Sequence, residues 1–214
     1  IFDGNQQIYT GAEDRVVAVD KAGNIQWERS LDGDANFSGV FDGNRDRLYW
    51  ADKTGTIWAL DPSDGSTIWK QGGFRGSSTF SHQTGMAASN SAVFTMFSDA
   101  DGSQLAAVDP SDGSTRGTYN QPERSEPSMA VSDDGHAFVV MDDDYGDGRA
   151  YIYKYDSDAN RVASNRSPSG YGHPRTAVSL TNDGHVYWVA TLGGVDSGED
   201  HVVIKSRQSD LSEV

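Results

Sequence analysis

A repeated string of residues constrains the fold of this chain more than any other feature. The string DPSDGST occurs at residues 61–67 and again at 109–115, and FDGN occurs at residues 2–5 and 41–44. Around these strings lies a longer unit: an apolar run, a turn, a second apolar run that ends in Ala-x-Asp, and a glycine turn. Such self-similarity indicates that one supersecondary unit is repeated along the chain.

The spacing of the repeat predicts the architecture. An anchoring aspartate recurs at Asp20, Asp61, Asp109 and Asp156, with a fifth position near Ser206, so the period is about 40 to 50 residues. Each unit supplies short runs rich in Val, Ile, Tyr, Phe and Trp, as β-strands require. Because one such unit cannot bury both of its faces alone, neighbouring units must stack. The sequence therefore predicts an all-β fold, a β-propeller of about five four-stranded blades.

The best-preserved unit resembles the tryptophan-docking motif of quinoprotein-like (PQQ-repeat) β-propellers. The pattern Ala-x-Asp-x-x-x-Gly-x-x-x-Trp is complete at Ala59, Asp61, Gly65 and Trp69. The first unit keeps the pattern with one residue deleted and ends at Trp27. The resemblance extends over nearly the whole chain and implies the propeller fold of that family.

Later units depart from the motif. The third unit has Gly117 in the tryptophan position. The fourth unit keeps only the aspartate, Asp156, and we place Asn160 and Ser164 in the glycine and tryptophan positions. The motif therefore weakens along the chain.

The motif residues are expected to be structural and not catalytic. We expect the rings of Trp27 and Trp69 to cover the gap between one blade and the next, where large aromatic side chains contribute strongly to stability. We expect Asp20, Asp61 and Asp109 to cap the amides of tight turns, as aspartate commonly does.

The repeat also predicts how the chain is divided. A single domain is expected, with blades at about residues 1–34, 35–76, 77–122, 123–168 and 169–214. The chain starts near the end of a first strand and stops within a fourth strand, and it begins with Ile and not Met. Because the resembling family usually has seven or eight blades, the chain is either a small closed propeller or a segment of a larger ring. Further blades or domains of the same parent protein are expected in the second case.

Charge and composition exclude several classes of function. The net charge of −15 disfavours contact with the phosphates of nucleic acid. No apolar run is long enough for a membrane helix, and the chain contains no cysteine. The resemblance implies quinone-dependent alcohol dehydrogenases among the relatives, but in those enzymes a vicinal disulfide commonly attends the quinone. A bound quinone is therefore not expected.

These observations favour a non-catalytic binding or scaffold module that contacts a protein or a small polar ligand. We expect it to act outside the cytoplasm, in the periplasm, at the cell surface or in the extracellular space. The alternative is a fragment of a quinone-dependent dehydrogenase or of a propeller glycosidase, since glycosidases on this fold use paired carboxylates.

No cofactor is expected, and calcium is the one candidate ion. Asp142, Asp144 and Asp147 lie together in a loop of the fourth unit, and hard oxygen ligands in a flexible loop suit Ca²⁺. The alternative is a solvated acidic loop without an ion.

The loops that enter the first strands are the predicted ligand-binding surface. In a propeller these loops line the mouth of the central channel, and loops on a rigid scaffold commonly carry binding residues. They bring together arginine, histidine, glutamate and aromatic side chains, which suit a polar ligand or a partner segment. Two alternatives remain, ordinary solvated loops and contacts through the outer blade edges. The predicted contact residues are Phe37, Arg75, His82, Arg124, Glu126, His173 and Arg175.

Overall fold

A computed structural model gives the fold. It describes residues 1, 3, 7–35, 39–75, 85–99, 102–121, 127–141, 149–173, 178–192 and 201–214. Within these residues every regular element is a β-strand. All of the strand pairings are antiparallel, and they assemble five separate sheets in chain order.

The first three sheets run from the N-terminus to the middle of the chain. The first sheet contains β1 (Ile8–Ala12), β2 (Arg15–Val19) and β3 (Ile25–Ser30). The second sheet contains β4 (Gly39–Asp42), β5 (Arg47–Ala51), β6 (Ile57–Leu60) and β7 (Thr67–Gln71). The third sheet contains β8 (Met86–Ala88), β9 (Val93–Asp99), β10 (Gly102–Val108) and β11 (Thr115–Gln121).

The last two sheets complete the described chain. The fourth sheet contains β12 (Ser128–Val131), β13 (Ala137–Met141), β14 (Tyr151–Tyr155) and β15 (Arg161–Arg166). The fifth sheet contains β16 (Tyr171–His173), β17 (Ser179–Leu180), β18 (His185–Leu192) and β19 (His201–Arg207). Both β16 and β17 pair with β18, on the edge opposite β19.

Backbone pairing also includes the chain ends. The amide of Tyr9 donates to the carbonyl of Ile1 at 2.9 Å, so Ile1 lies beside β1, where the other sheets have a first strand. The amide of Val214 donates to the carbonyl of Lys205 at 3.0 Å, which places the last residues beside β19 as the start of a fourth strand.

The sheets are arranged as a partial β-propeller, as the repeat predicted. The first strands β4, β8, β12 and β17 contact one another in chain order, and the amide of Val178 donates to Ser128 Oγ at 3.0 Å between two of them. Neighbouring first strands therefore line a common axis, and each sheet extends outward from it.

Four apolar cores hold the sheets together, one at each junction between consecutive sheets. Successive side chains of a strand point to opposite faces, so each middle strand contributes to two junctions. Leu48 and Trp50 of β5 pack against the first sheet, while Tyr49 between them packs against the third. This two-sided burial explains why the apolar runs in the sequence are nearly continuous and do not alternate with polar residues.

The register of the outer strands corrects two assignments made from the sequence. Ala163 pairs with Lys154 as Trp27 pairs with Ala18, so Ala163 and not Ser164 occupies the tryptophan position of the fourth sheet. The reason is a shorter turn, since the fourth unit shares the five-residue turn of the first unit. Ala159 and not Asn160 therefore takes the glycine position, with a φ of 59° where Gly23 has 85°.

The anchor of the fifth sheet lies beside Ser206, near which it was predicted. The amide of Arg207 donates to the carbonyl of Ser212, just as the amide of Asp61 donates to the carbonyl of Ser66. Arg207 and not Ser206 therefore takes the anchoring position, and an arginine replaces the aspartate of the other sheets.

Candidate functional site

Most of the predicted channel-mouth residues lie outside the described part of the chain. This holds for Phe37, His82, Arg124, Glu126 and Arg175. Of the remaining two, Arg75 is half-buried and its amide donates to Gln104 Oε1 at 2.9 Å, while His173 is described only through its backbone in β16.

The predicted calcium ligands are likewise not described. Asp142, Asp144 and Asp147 lie outside the described residues, and calcium binding stays a prediction. Among the residues that the structure does describe, no group of three or more His, Asp or Glu side chains is placed to hold a metal ion.

The anchoring aspartates cap their own turns. Asp20 Oδ1 accepts from the amides of Ala22 and Asn24 at 2.8 and 2.9 Å, and the side chain of Asn24 also donates to it. These bonds, led by that of the Asn24 side chain, lower the pKa of Asp20. Asp61 and Asp109 cap in the same way, with the amides of the residues two positions later as donors.

A row of three residues repeats in the first four sheets and faces the next sheet. Its members lie directly opposite one another on the second, third and fourth strands, and we call this set the docking row. The four docking rows are Tyr9–Ala18–Trp27, Tyr49–Ala59–Trp69, Phe94–Ala107–Gly117 and Phe138–Lys154–Ala163.

The first docking row closes the first junction. Trp27 Nε1 donates to the carbonyl of Pro62 in the next sheet at 2.8 Å. The hydroxyl of Tyr9, which donates to Asp3 Oδ2 at 2.8 Å, lies 3.4 Å from the same carbonyl. The indole of Trp27 covers Gly65, where an added methyl group would lie 2.5 Å from the ring. Trp27 is 8% exposed, so the junction is sealed by an aromatic lid and its hydrogen bond.

The second docking row repeats this arrangement. Trp69 Nε1 and the hydroxyl of Tyr49 both donate to the carbonyl of Pro110 at 3.2 Å, and Trp69 covers Gly113. Burial raises the pKa of Tyr49 to about 12, because the ionised phenol would have to leave water.

The third junction is closed without a tryptophan. The backbone carbonyl of Asp158 lies directly against Gly117, so even a β-carbon at that position would collide with it. Beside this contact, Arg116 Nε donates to the carbonyl of Ser157 and to Asp158 Oδ1, both at 3.2 Å. Glycine is therefore required at the tryptophan position here, because backbone replaces the indole ring.

The fourth junction differs from the other three in its lysine. Its docking row has a phenylalanine and no tryptophan, as the third row does, but Lys154 replaces the alanine of all three. Across the junction, Leu211 stands where the second sheet has Gly65, with a φ of 62° against 72°. Leu211 is fully buried and packs in one core with Ala163, and Asn165 Nδ2 donates to its carbonyl at 2.8 Å, so an apolar contact replaces the tryptophan lid of the first two junctions.

A cavity of about 550 Å³ opens at this junction, on the side of the turns that join first to second and third to fourth strands. Two of its lining residues, Gln208 and Ser209, are the equivalents of Pro62 and Ser63. In the first junction the carbonyl of Pro62 is the acceptor for Trp27 Nε1. The lining residues are Ser132, Asp134, Phe138, Lys154, Asp183, Gly184, His185, Arg207, Gln208 and Ser209.

Lys154 is the central charged residue of the cavity. It is 8% exposed, its ammonium donates to the carbonyl of Ser209 at 3.3 Å, and it lies 5.7 Å from the centre of the Phe138 ring. An ammonium has three protons to donate, and among the described residues only the Ser209 carbonyl accepts one. A buried ammonium with open donors suits an anionic ligand.

Two matching acidic turns form the rim. Asp134 lies 3.1 Å from His136 Nδ1, and Asp183 lies 3.1 Å from His185 Nδ1. Each carboxylate also accepts from the hydroxyl that begins its turn, on Ser132 in one case and Thr181 in the other. These hydroxyl bonds, with the histidines, lower the pKa of both carboxyl groups, which are therefore held in the charged form.

Sequence reasoning did not find this site. The one signal available was Lys154 in the alanine position of the Ala-x-Asp motif, which only a correct alignment of the fourth unit reveals. The repeat places His136 and His185 in equivalent turns, but it does not indicate that these turns flank a cavity.

The docked sheets and their repeated rows define the class of protein: a β-propeller built from tryptophan-docked PQQ-type repeats. Residues 1–191 match the model of the family described as outer membrane protein assembly factor BamB, and the chain belongs to this family. No curated protein sequence matches the chain significantly.

Solved structures share the fold at low sequence identity. BamB from Moraxella catarrhalis aligns with a TM-score of 0.53 at 15% identity, over 97% of this chain and 76% of that one. Hydrazine synthase of Kuenenia stuttgartiensis gives 0.65 at 11%, over 94% of this chain and 62% of that one. The RRP9 WD40 repeats give 0.66 at 12%, over 97% and 58%. The chain thus spans less than two thirds of the length of the last two structures.

The described residues contain no helix with the length and apolar character needed to cross a bilayer.

Proposed function

We propose that the chain is a non-catalytic scaffold module that binds a protein partner during the assembly of outer-membrane proteins. Support comes from its membership of the family described as outer membrane protein assembly factor BamB. The observation that carries the proposal is the cavity at the fourth junction, which has no tryptophan lid like those of the first two junctions.

A cavity between two packed sheets is suited to binding. The turns that flank it are fixed by their own hydrogen bonds, as in the bond from the hydroxyl of Thr181 to Asp183. Such turns hold their side chains in place before a partner arrives, which lowers the conformational entropy lost on binding. The cavity volume also lies within the range of ordinary ligand sites.

The carboxylates that cap the repeated turns support a structural role. The carboxylates with lowered pKa values, such as Asp20 and Asp109, accept hydrogen bonds from their own turns. A general acid or base needs a pKa near the working pH, so these groups are unsuited to that role.

The proposed location is outside the cytoplasm, in the periplasm or at the outer membrane. The family description and the similar BamB structure support this location. The channel-mouth loops, which include Arg75, remain a second proposed contact surface for a protein or a small polar ligand.

Site-specific photo-crosslinking in cells of the source organism tests the proposal. A benzophenone amino acid at Ser209 places the crosslinker on the edge of the cavity, while Ser63 and Ser111 are equivalent exposed positions beside closed junctions. We expect adducts with an outer-membrane assembly protein from Ser209 and not from the two matched positions. Equal adducts from all three positions, or none from Ser209, would contradict the proposal.

A further inference from the structure

We propose that the cavity between the fourth and fifth sheets binds a single carboxylate of a partner polypeptide, with Lys154 as the residue that receives it. This inference rests on the proposed function, since it names the chemistry by which the scaffold recognises its partner. The ligand group is either the side chain of an aspartate or glutamate or a free C-terminus.

The burial of Lys154 is the first argument. The equivalent residues in the other three docking rows are Ala18, Ala59 and Ala107, which are all fully buried. The fold therefore needs no polar group at this position. A lysine that keeps its charge here loses most of its hydration, and one carbonyl at 3.3 Å replaces only part of it. A carboxylate would supply the missing acceptor.

The position of the lysine side chain over an aromatic ring is the second argument. Lys154 lies over the ring of Phe138 and is 8% exposed, so a charge brought to it is weakly screened. Charge-assisted hydrogen bonds in such surroundings are about twice as strong as neutral ones. The cavity can therefore hold a small anion with few direct contacts.

The two carboxylates of the rim favour a ligand with a single negative charge. Asp134 and Asp183, both held in the charged form, lie at the edge of the cavity, while Arg207 is the second cation of the lining. A phosphate with two charges would be repelled by the rim acids, whereas one carboxylate balances the buried ammonium. The rim thus selects a monoanion within a chain and disfavours polyanions.

Nuclear magnetic resonance of ¹³C-labelled lysine tests the proposal directly. The chain has five lysines, so the ε-methylene signal of Lys154 can be followed beside those of Lys21, Lys53, Lys70 and Lys205 as internal controls. The probes are three hexapeptides of glycine and serine. One has a central glutamate and blocked ends, one has a free C-terminal carboxylate only, and one has glutamine and blocked ends.

We expect the signal of Lys154 to move with at least one carboxylate peptide and not with the glutamine peptide, while the other lysine signals stay in place. The peptide that acts identifies the source of the carboxylate. Lys154→Met should weaken binding of that peptide at least about tenfold, measured by calorimetry. Lys205→Met is the matched control, since Lys205 is the next lysine along but does not line the cavity, and it should leave binding unchanged.

Three results would overturn the inference. The signal of Lys154 does not move with any peptide, or it moves equally with the glutamine peptide, or Lys154→Met binds as tightly as the original chain. If adducts still form from Ser209 in that case, the protein-binding proposal stands and only the carboxylate chemistry fails. If the peptides bind but no adducts form, the scaffold role fails instead.

Discussion

The indole of Trp27 lies against Gly65 of the following sheet, so closely that a methyl group on Gly65 would come within 2.5 Å of the ring. Gly65 also has a φ of 72°, which disfavours any residue with a β-carbon. The motif therefore requires glycine for two reasons: the turn needs a positive φ, and the tryptophan that covers the turn leaves no room for a β-carbon.

Substitution of this glycine separates the two requirements. Gly65→Ala should destabilise the protein by about 1 to 3 kcal/mol more than Gly23→Ala, because overpacking adds to the backbone strain that both share. Gly23 is the matched control, since it has a φ of 85° and no atom within 4 Å of an added methyl group. Denaturant unfolding measures the difference, and equal losses would show that the indole yields without cost.

Loss of a docked indole should open a sealed junction. Trp69→Ala should lower the free energy of unfolding by about 3 to 5 kcal/mol, because it removes a large buried ring and its bond to Pro110. Trp69→Phe keeps most of the apolar area and should cost less. A melting temperature unchanged by the alanine substitution would refute the role of Trp69 in the junction.

Lys154 should lower the free energy of unfolding, because its charge is placed for binding and not for packing. Lys154→Met keeps the length of the side chain and removes a buried charge, so it should raise the free energy of unfolding by about 1 kcal/mol or more. Lys205→Met, at a position that is half-buried, should change stability little. A clear loss of stability in Lys154→Met would indicate that the ammonium is already well solvated within the folded chain.

The second junction should weaken at high pH. The pKa of Tyr49 rises from 10.0 to about 12 on folding, so its stabilising contribution is complete below about pH 10 and is lost as the pH rises through 12. Compared with Tyr49→Phe, the unmodified protein should be more stable by about 1 kcal/mol at pH 7, through the bond to Pro110. That advantage should disappear above pH 10, and a difference independent of pH would contradict the assignment.

The fold could be predicted because turn residues and tryptophans recur at regular spacing along the sequence. The aspartate that caps each turn and the tryptophan that covers the next glycine are local requirements, so they leave a pattern in the sequence. The register of the fourth sheet could not be predicted, because Ala159 occupies a left-handed position that normally indicates glycine. That substitution concealed the short turn and displaced the assignment from Ala163 to Ser164.

The site could not be predicted because two of its features are side-chain groups that the first repeat has and the fourth repeat lacks. Ala163 and Phe138 are ordinary apolar residues, and only their comparison with Trp27 and Tyr9 shows that a lid and a hydroxyl are missing. Lys154 carries the one positive signal, and its burial depends on packing between two sheets that are distant in sequence. Predicting a cavity between two repeats therefore requires a correct alignment of the repeats.

The central claim is that the cavity at the fourth junction is the binding site, and adding a tryptophan lid beside it tests the claim most directly. The double substitution Ala163→Trp and Leu211→Gly restores the docking pair formed by Trp27 and Gly65, with the carbonyl of Gln208 in the position of the Pro62 acceptor. The variant retains Lys154, so any loss of binding reports closure of the cavity and not loss of the charge. Calorimetric titration of the carboxylate peptide should show binding at least about tenfold weaker than in the original chain, with a melting temperature that is equal or higher. Unchanged affinity in a folded double variant would contradict the claim that the open junction is the binding site.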